Sequence, residues 1–125
     1  MDSYDPFEAP TPAVWLNLDE SERNSLVLDY HLKEASEFPG LHAHAVIHAI
    51  VETQVAMGDE TPVARTLDRL QQEGLDRHDA IHAVGSVLAG RIYDLLGGKG
   101  SSANVNQEYW DALERLTADG WTHAR

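Results

Sequence analysis

The chain has 125 residues, of which 42% are hydrophobic, and this predicts a single soluble globular domain with one core. Its formal net charge of −12 at pH 7 repels phosphate groups, so nucleic acid and anionic membranes are not expected partners. The sequence contains no cysteine, which excludes disulfides, thiolate zinc sites and cysteine nucleophiles.

The N-terminal residues 1–13 are acidic and contain three prolines, and they predict a flexible arm. They lack the apolar core of a signal peptide, and no apolar run in the chain approaches the length of a membrane span. The cytoplasm is therefore the expected location. The helical domain is expected over residues 14–118, followed by a C-terminal tail over residues 119–125.

Apolar residues recur at helical spacing in five segments, and no segment alternates convincingly with period two. Asp19 and Asp76 precede two of these segments as N-cap residues, and Thr61 followed by proline precedes another. The glycine-rich stretch 97–102 predicts a flexible linker before the last helix. The sequence thus predicts an all-α, single-domain bundle of four to five helices, at about 20–35, 41–57, 62–73, 77–96 and 106–118.

The second and fourth predicted helices begin with the same pattern, Leu-x-x-His-x-x-Ile-His-Ala followed by Ile or Val. Positions four apart on a helix differ by only about 40°, so the histidines of each copy lie on one narrow stripe. The second helix is apolar on nearly all its other faces, which predicts that its stripe is buried. The two stripes consist of His44, His48 and Glu52 on the second helix and of His78 and His82 on the fourth.

Buried imidazoles need partners, because an unsatisfied one costs about 1–3 kcal/mol. Two histidines four residues apart can offer two nitrogens to one ion. We therefore predict a divalent transition metal, zinc or iron, bound by His44, His48, Glu52, His78 and His82. Whether Glu52 binds the ion or orients a ligand stays open, and Asp79 and His31 are candidates for orienting groups or for further ligands. The alternatives are structural histidines joined by hydrogen bonds and a solvent-facing patch that responds to pH.

The segment from Trp15 to Leu96 resembles an uncharacterised family of small bacterial proteins. Its hallmarks are a His-x-x-x-His-x-x-x-Glu-x-Gln helix and an Arg-His-[Glu/Asp]-Ala-x-His helix. The matching residues are His44, His48, Glu52 and Gln54 on the first helix and Arg77, His78, Asp79, Ala80 and His82 on the second. The resemblance implies a bacterial source and a common role for these residues, and it implies no reaction. A looser likeness to haemerythrin-type bundles, through His48 with Glu52 and His78 with His82, implies a di-iron centre.

Three functions remain open on the sequence alone. The first is a metal-binding helical protein with a structural or sensing role or with metal-dependent chemistry, so enzymatic activity is undecided. The second is a non-enzymatic protein-interaction module, in which the histidines are structural and an acidic helical face binds a partner. The third is a haemerythrin-like di-iron protein. A homodimer would also fit, because an almost wholly apolar central helix needs cover.

Overall fold

The computed structural model describes residues 1–34, 39–98 and 105–124, and within these ranges it contains helices and no strand. The predicted all-α bundle is confirmed. The break at Phe38 and most of the linker over 97–102 fall outside the described residues. The helices are α1 (Pro12–Asn17), α2 (Glu20–Glu34), α3 (Leu41–Ala56), α4 (Val63–Gln72), α5 (Arg77–Leu96), α6 (Val105–Arg115) and α7 (Ala118–Ala124), with a 3-10 turn at Gly58–Glu60.

Side-chain caps fix where two of these helices begin. The Asp19 carboxylate accepts the Glu22 backbone N–H at 2.8 Å, and the Glu22 carboxylate accepts the Asp19 N–H at 3.2 Å. This reciprocal pair satisfies N–H groups that the first turn of α2 leaves without helical partners. At the start of α5, Asp76 accepts the Asp79 N–H at 2.7 Å. Both caps were predicted from the sequence.

The third helix lies at the centre of the bundle and packs against α1, α2, α4 and α5. On one side Ala49 joins a core with Trp15 and Val27, and on the other Val51 joins a core with Val84. Apolar cover on both sides explains why α3 is hydrophobic around most of its circumference. The polar stripe of α3 is consequently held inside the protein, facing α2 and α5.

Both ends of the chain pack onto the bundle. Tyr4 is only 5% exposed, and its ring centroid lies 5.8 Å from that of Trp15. The expected flexible arm over residues 1–13 is thus partly folded onto the helices, because burying a tyrosine ring offsets the cost of ordering a proline-rich segment. Within the expected tail, Trp121 of α7 packs against the core that contains Val51 and Val84. None of the helices in the described ranges is long and apolar enough to cross a lipid bilayer.

Candidate metal centre

Four histidines from three helices meet in the interior of the bundle. One nitrogen atom from each of His31 on α2, His48 on α3, and His78 and His82 on α5 lies within 4.8 Å of the others. In a tetrahedral zinc site each Zn–N bond is about 2.0–2.1 Å, which places the ligand nitrogens about 3.4 Å apart. A small contraction would bring the four imidazoles to this spacing, so the cluster could hold a metal ion.

Three of these imidazoles carry a buried nitrogen that has no hydrogen-bond partner among the described residues. The atoms are Nε2 of His31, Nδ1 of His48 and Nε2 of His78. A buried polar atom left unsatisfied costs about 1–3 kcal/mol, so three together would lower the free energy of unfolding by a large fraction for a protein of this size. A cation bound between the rings would satisfy all of them at once.

Hydrogen bonds on the opposite nitrogens set the tautomers of two rings. His31 Nδ1 lies 2.8 Å from the Val27 carbonyl oxygen, so it donates and leaves a lone pair on Nε2. His48 Nε2 lies 2.7 Å from the Tyr4 hydroxyl, which itself donates to Glu52. The Tyr4 oxygen therefore accepts from His48 Nε2–H, and His48 Nδ1 keeps its lone pair. Both partnerless nitrogens are thus in the form that binds a metal.

Glu52 is held by an ion pair beside the histidines. Arg77 Nη2 donates to Glu52 Oε1 at 2.7 Å, and Arg77 Nη1 donates to Oε2 at 2.8 Å. The Glu52 side chain is fully buried and that of Arg77 is 10% exposed. Burial raises the pKa of Tyr4 and the Glu52 charge raises it further, so the phenol keeps its proton and donates to Oε2. Glu52 therefore acts on His48 through Tyr4.

The structure brings together His48, His78 and His82, which the sequence predicts as ligands. Glu52 and His44, also predicted as ligands, are not members of the group of four. Glu52 is occupied by the Arg77 ion pair, and His44 is half-buried at the edge of the cluster. The ring centroid of His44 lies 4.8 Å from that of His31 and 4.9 Å from that of His82.

The structure places His31 inside the group of four and Asp79 outside it. His31, which the sequence suggests as an orienting group or a fifth ligand, belongs to the group of four and is 8% exposed. Asp79 lies in the first turn of α5, outside the group of four, and its charge partly opposes the lowering of the His78 pKa that burial causes. The sequence does not predict the hydrogen bonds of Tyr4 to His48 and Glu52, or the ion pair between Arg77 and Glu52.

Burial favours the neutral form of three imidazoles, those of His44, His48 and His78. It lowers the pKa of His48 to about 2, and the neighbouring imidazoles, His82 first, act in the same direction. Burial also lowers the pKa of His44 and of His78, with His31 reinforcing both shifts. Neutral imidazole is the form that coordinates metal ions, so the site is prepared for binding at pH 7.

The metal-free protein is expected to lose stability as the pH falls below about 6.5, the pKa of an unfolded histidine. The His48 pKa is lowered to about 2 in the folded state, so between these two pH values only the unfolded chain takes up this proton. The unfolding free energy should therefore fall by about 1.4 kcal/mol per pH unit from this residue alone. Urea unfolding at pH 7, 6 and 5 measures the slope of the unfolding free energy against pH.

Two variants on α3 test whether His48 causes this slope. His48→Gln should flatten the slope, whereas His42→Gln, at an exposed position of the same helix, should leave it unchanged. Equal stability at pH 7 and pH 5 would contradict this expectation.

Comparison of the chain with models of known protein families, with curated proteins and with solved structures gives no match. The resemblance to a family of small bacterial proteins therefore stays a prediction. Support for a function comes instead from the geometry of the histidine cluster.

Proposed function

We propose that the protein binds one divalent transition-metal ion, zinc or iron, through His31, His48, His78 and His82. The observation that carries this proposal is the set of buried nitrogens without partners within a cluster of four imidazoles. Imidazole donors favour zinc, iron, nickel and copper, whereas magnesium and calcium prefer oxygen ligands.

The surroundings of the cluster support a site that is preorganised for the ion. The Val27 carbonyl and the Tyr4 hydroxyl hold two rings through the nitrogens that face away from the centre. Such contacts orient ligands and raise their basicity, and losing one typically costs about 10–100-fold in metal affinity. Four imidazoles suit a structural or sensing ion. With a coordination position open to another molecule, the ion would act as a Lewis acid.

The two rival functions fit these contacts less well. In an interaction module with structural histidines, the imidazoles would hydrogen-bond to one another or to the backbone, yet within the described ranges three of their buried nitrogens have no such partner. A haemerythrin-like di-iron centre would need carboxylate ligands. Glu52, the carboxylate nearest in sequence to His48 on the same stripe, is engaged by Arg77 through both oxygens.

Metal binding by protein purified without an affinity tag tests the proposal. We expect about one zinc or iron ion per chain by elemental analysis, since one group of four imidazoles supplies a tetrahedral site. In competition with a chromophoric chelator, His78→Ala should weaken zinc binding by at least about 100-fold. His42→Ala is the matched control, because His42 is exposed and lies outside the group of four. Protein that binds neither zinc nor iron would overturn the proposal.

A further inference from the structure

A cavity of about 360 Å³ lies beside the histidine cluster, between α3, α5 and α7. Its lining includes His48 and His82, which belong to the group of four, and also His44. A molecule in this cavity would therefore lie directly against the proposed metal site. The volume falls near the lower end of the range for small-molecule sites, about 300–1,000 Å³, so the occupant must be small.

Apart from the imidazoles and Ser86, whose hydroxyl donates to the Ala83 carbonyl oxygen at 2.7 Å, the residues that line the cavity are apolar. Ile47 on α3 and Ile81 on α5 form two of its walls, and the Trp121 ring on α7 contributes another. The exposed alanines Ala43 and Ala89 also line the cavity, where their small side chains leave a way in from solvent. Such a lining favours an occupant with an apolar body and places its polar end at the histidines.

Charge decides what that polar end should be. A divalent ion held by neutral imidazoles forms a complex with a net charge of +2. The buried Glu52 does not offset this charge, because Arg77 already neutralises it. None of the described residues that line the cavity is acidic or basic apart from the histidines. In a poorly hydrated site, an anionic head group would thus be attracted to the ion and a cationic one repelled.

We infer that this cavity binds a small carboxylate with an apolar body, its carboxylate directed at the metal ion and its body between Ile47, Ile81 and Trp121. The inference rests on the proposed metal site and adds the class of molecule that this site would take. Zinc can expand from four to five ligands, so a carboxylate oxygen can approach the ion without displacing an imidazole.

Calorimetric titration of the zinc-loaded protein with three probes of similar shape tests the inference. Phenylacetate should bind, neutral phenylacetamide should bind at least about tenfold more weakly, and cationic phenethylamine should bind most weakly, because the phenyl body is kept while the head group changes from anionic to neutral to cationic. Removal of the zinc should weaken phenylacetate binding by at least about tenfold. Equal binding of phenylacetate and phenylacetamide, or equal binding with and without zinc, would overturn the inference.

Substitutions at the exposed alanines test whether phenylacetate binds in this cavity. Ala89→Phe and, independently, Ala43→Phe should fill the cavity and weaken phenylacetate binding by about tenfold or more, while zinc stoichiometry stays unchanged. Ala13→Phe, at an exposed position of α1 away from the cavity, is the matched control. Retained binding in both cavity variants would contradict the assignment. The two proposals fail separately: full zinc loading without phenylacetate binding refutes only the carboxylate site, whereas failure to bind both zinc and iron refutes the metal site itself.

Discussion

Replacement of Arg77 by methionine is expected to lower the unfolding free energy by about 3–5 kcal/mol, a large part of the stability of a domain of this size. The Glu52 side chain is fully buried, and Arg77 is the cation that pairs with both of its oxygens. Without the guanidinium, a buried carboxylate would lack a compensating charge. The Pro6 carbonyl would also lose the Arg77 hydrogen bond that ties the N-terminal segment to α5. Urea unfolding at pH 7 measures the loss.

An ion pair on the surface serves as the control, because it shows the effect of losing an arginine whose partner is not buried. Arg91 pairs with Asp94 at 3.0 Å, with side chains 32% and 35% exposed, so Arg91→Met should cost less than about 1 kcal/mol. The double variant Arg77→Met with Glu52→Leu should be more stable than Arg77→Met alone, since it removes the uncompensated charge. A loss below about 1 kcal/mol for Arg77→Met would contradict a buried, mutually dependent ion pair.

Zinc loading is expected to raise the melting temperature by about 10 °C or more over the metal-free protein. An ion that binds only the folded state contributes about 4 kcal/mol when its free concentration is 1,000 times its Kd. For a domain of this length each 1 kcal/mol corresponds to several degrees. His48→Ala and His82→Ala should remove most of this increment, because each deletes one of the four clustered imidazoles. Differential scanning calorimetry with added zinc and with chelator measures it.

Three further variants show which side chains the zinc-dependent rise in melting temperature depends on. His42→Ala and His123→Ala replace exposed histidines outside the group of four and should leave the increment intact. Glu52→Gln should cause an intermediate loss, because Glu52 reaches His48 only through Tyr4. A near-complete loss would instead indicate that Glu52 binds the ion. Melting curves that are indifferent to both zinc and chelator would contradict the proposed site.

The sequence predicts α2 to α6 and the two pairs of histidines four residues apart, because both depend on local information, but it does not predict the short helices α1 and α7. Helical periodicity and the caps at Asp19 and Asp76 set where helices begin, and spacing of four residues sets which side chains share a face. The central, nearly all-apolar α3 could also be recognised in this way. These features depend on neighbours within about one or two helical turns.

Contacts between distant segments could not be predicted in the same way. His31 is the only histidine on α2, so no repeated pattern marks it, and its place beside His48 depends on how α2 packs against α3. Glu52 shares the stripe of His48 but is paired with Arg77, which lies 25 residues further along the chain. Tyr4 sits in a proline-rich segment whose composition conceals its contact with His48. A helical wheel gives the direction of a side chain but not the partner it meets.

X-ray absorption spectroscopy at the zinc edge of the loaded protein tests the central claim most directly, because it reports the atoms bound to the ion. With His31, His48, His78 and His82 as ligands, we expect about four nitrogen neighbours at about 2.0–2.1 Å, together with the outer-shell scattering that imidazole rings produce. His78→Ala should reduce the imidazole contribution by about one quarter, as expected for one ligand of four. A shell dominated by oxygen, without imidazole scattering, would contradict the assignment of these four histidines as the metal site.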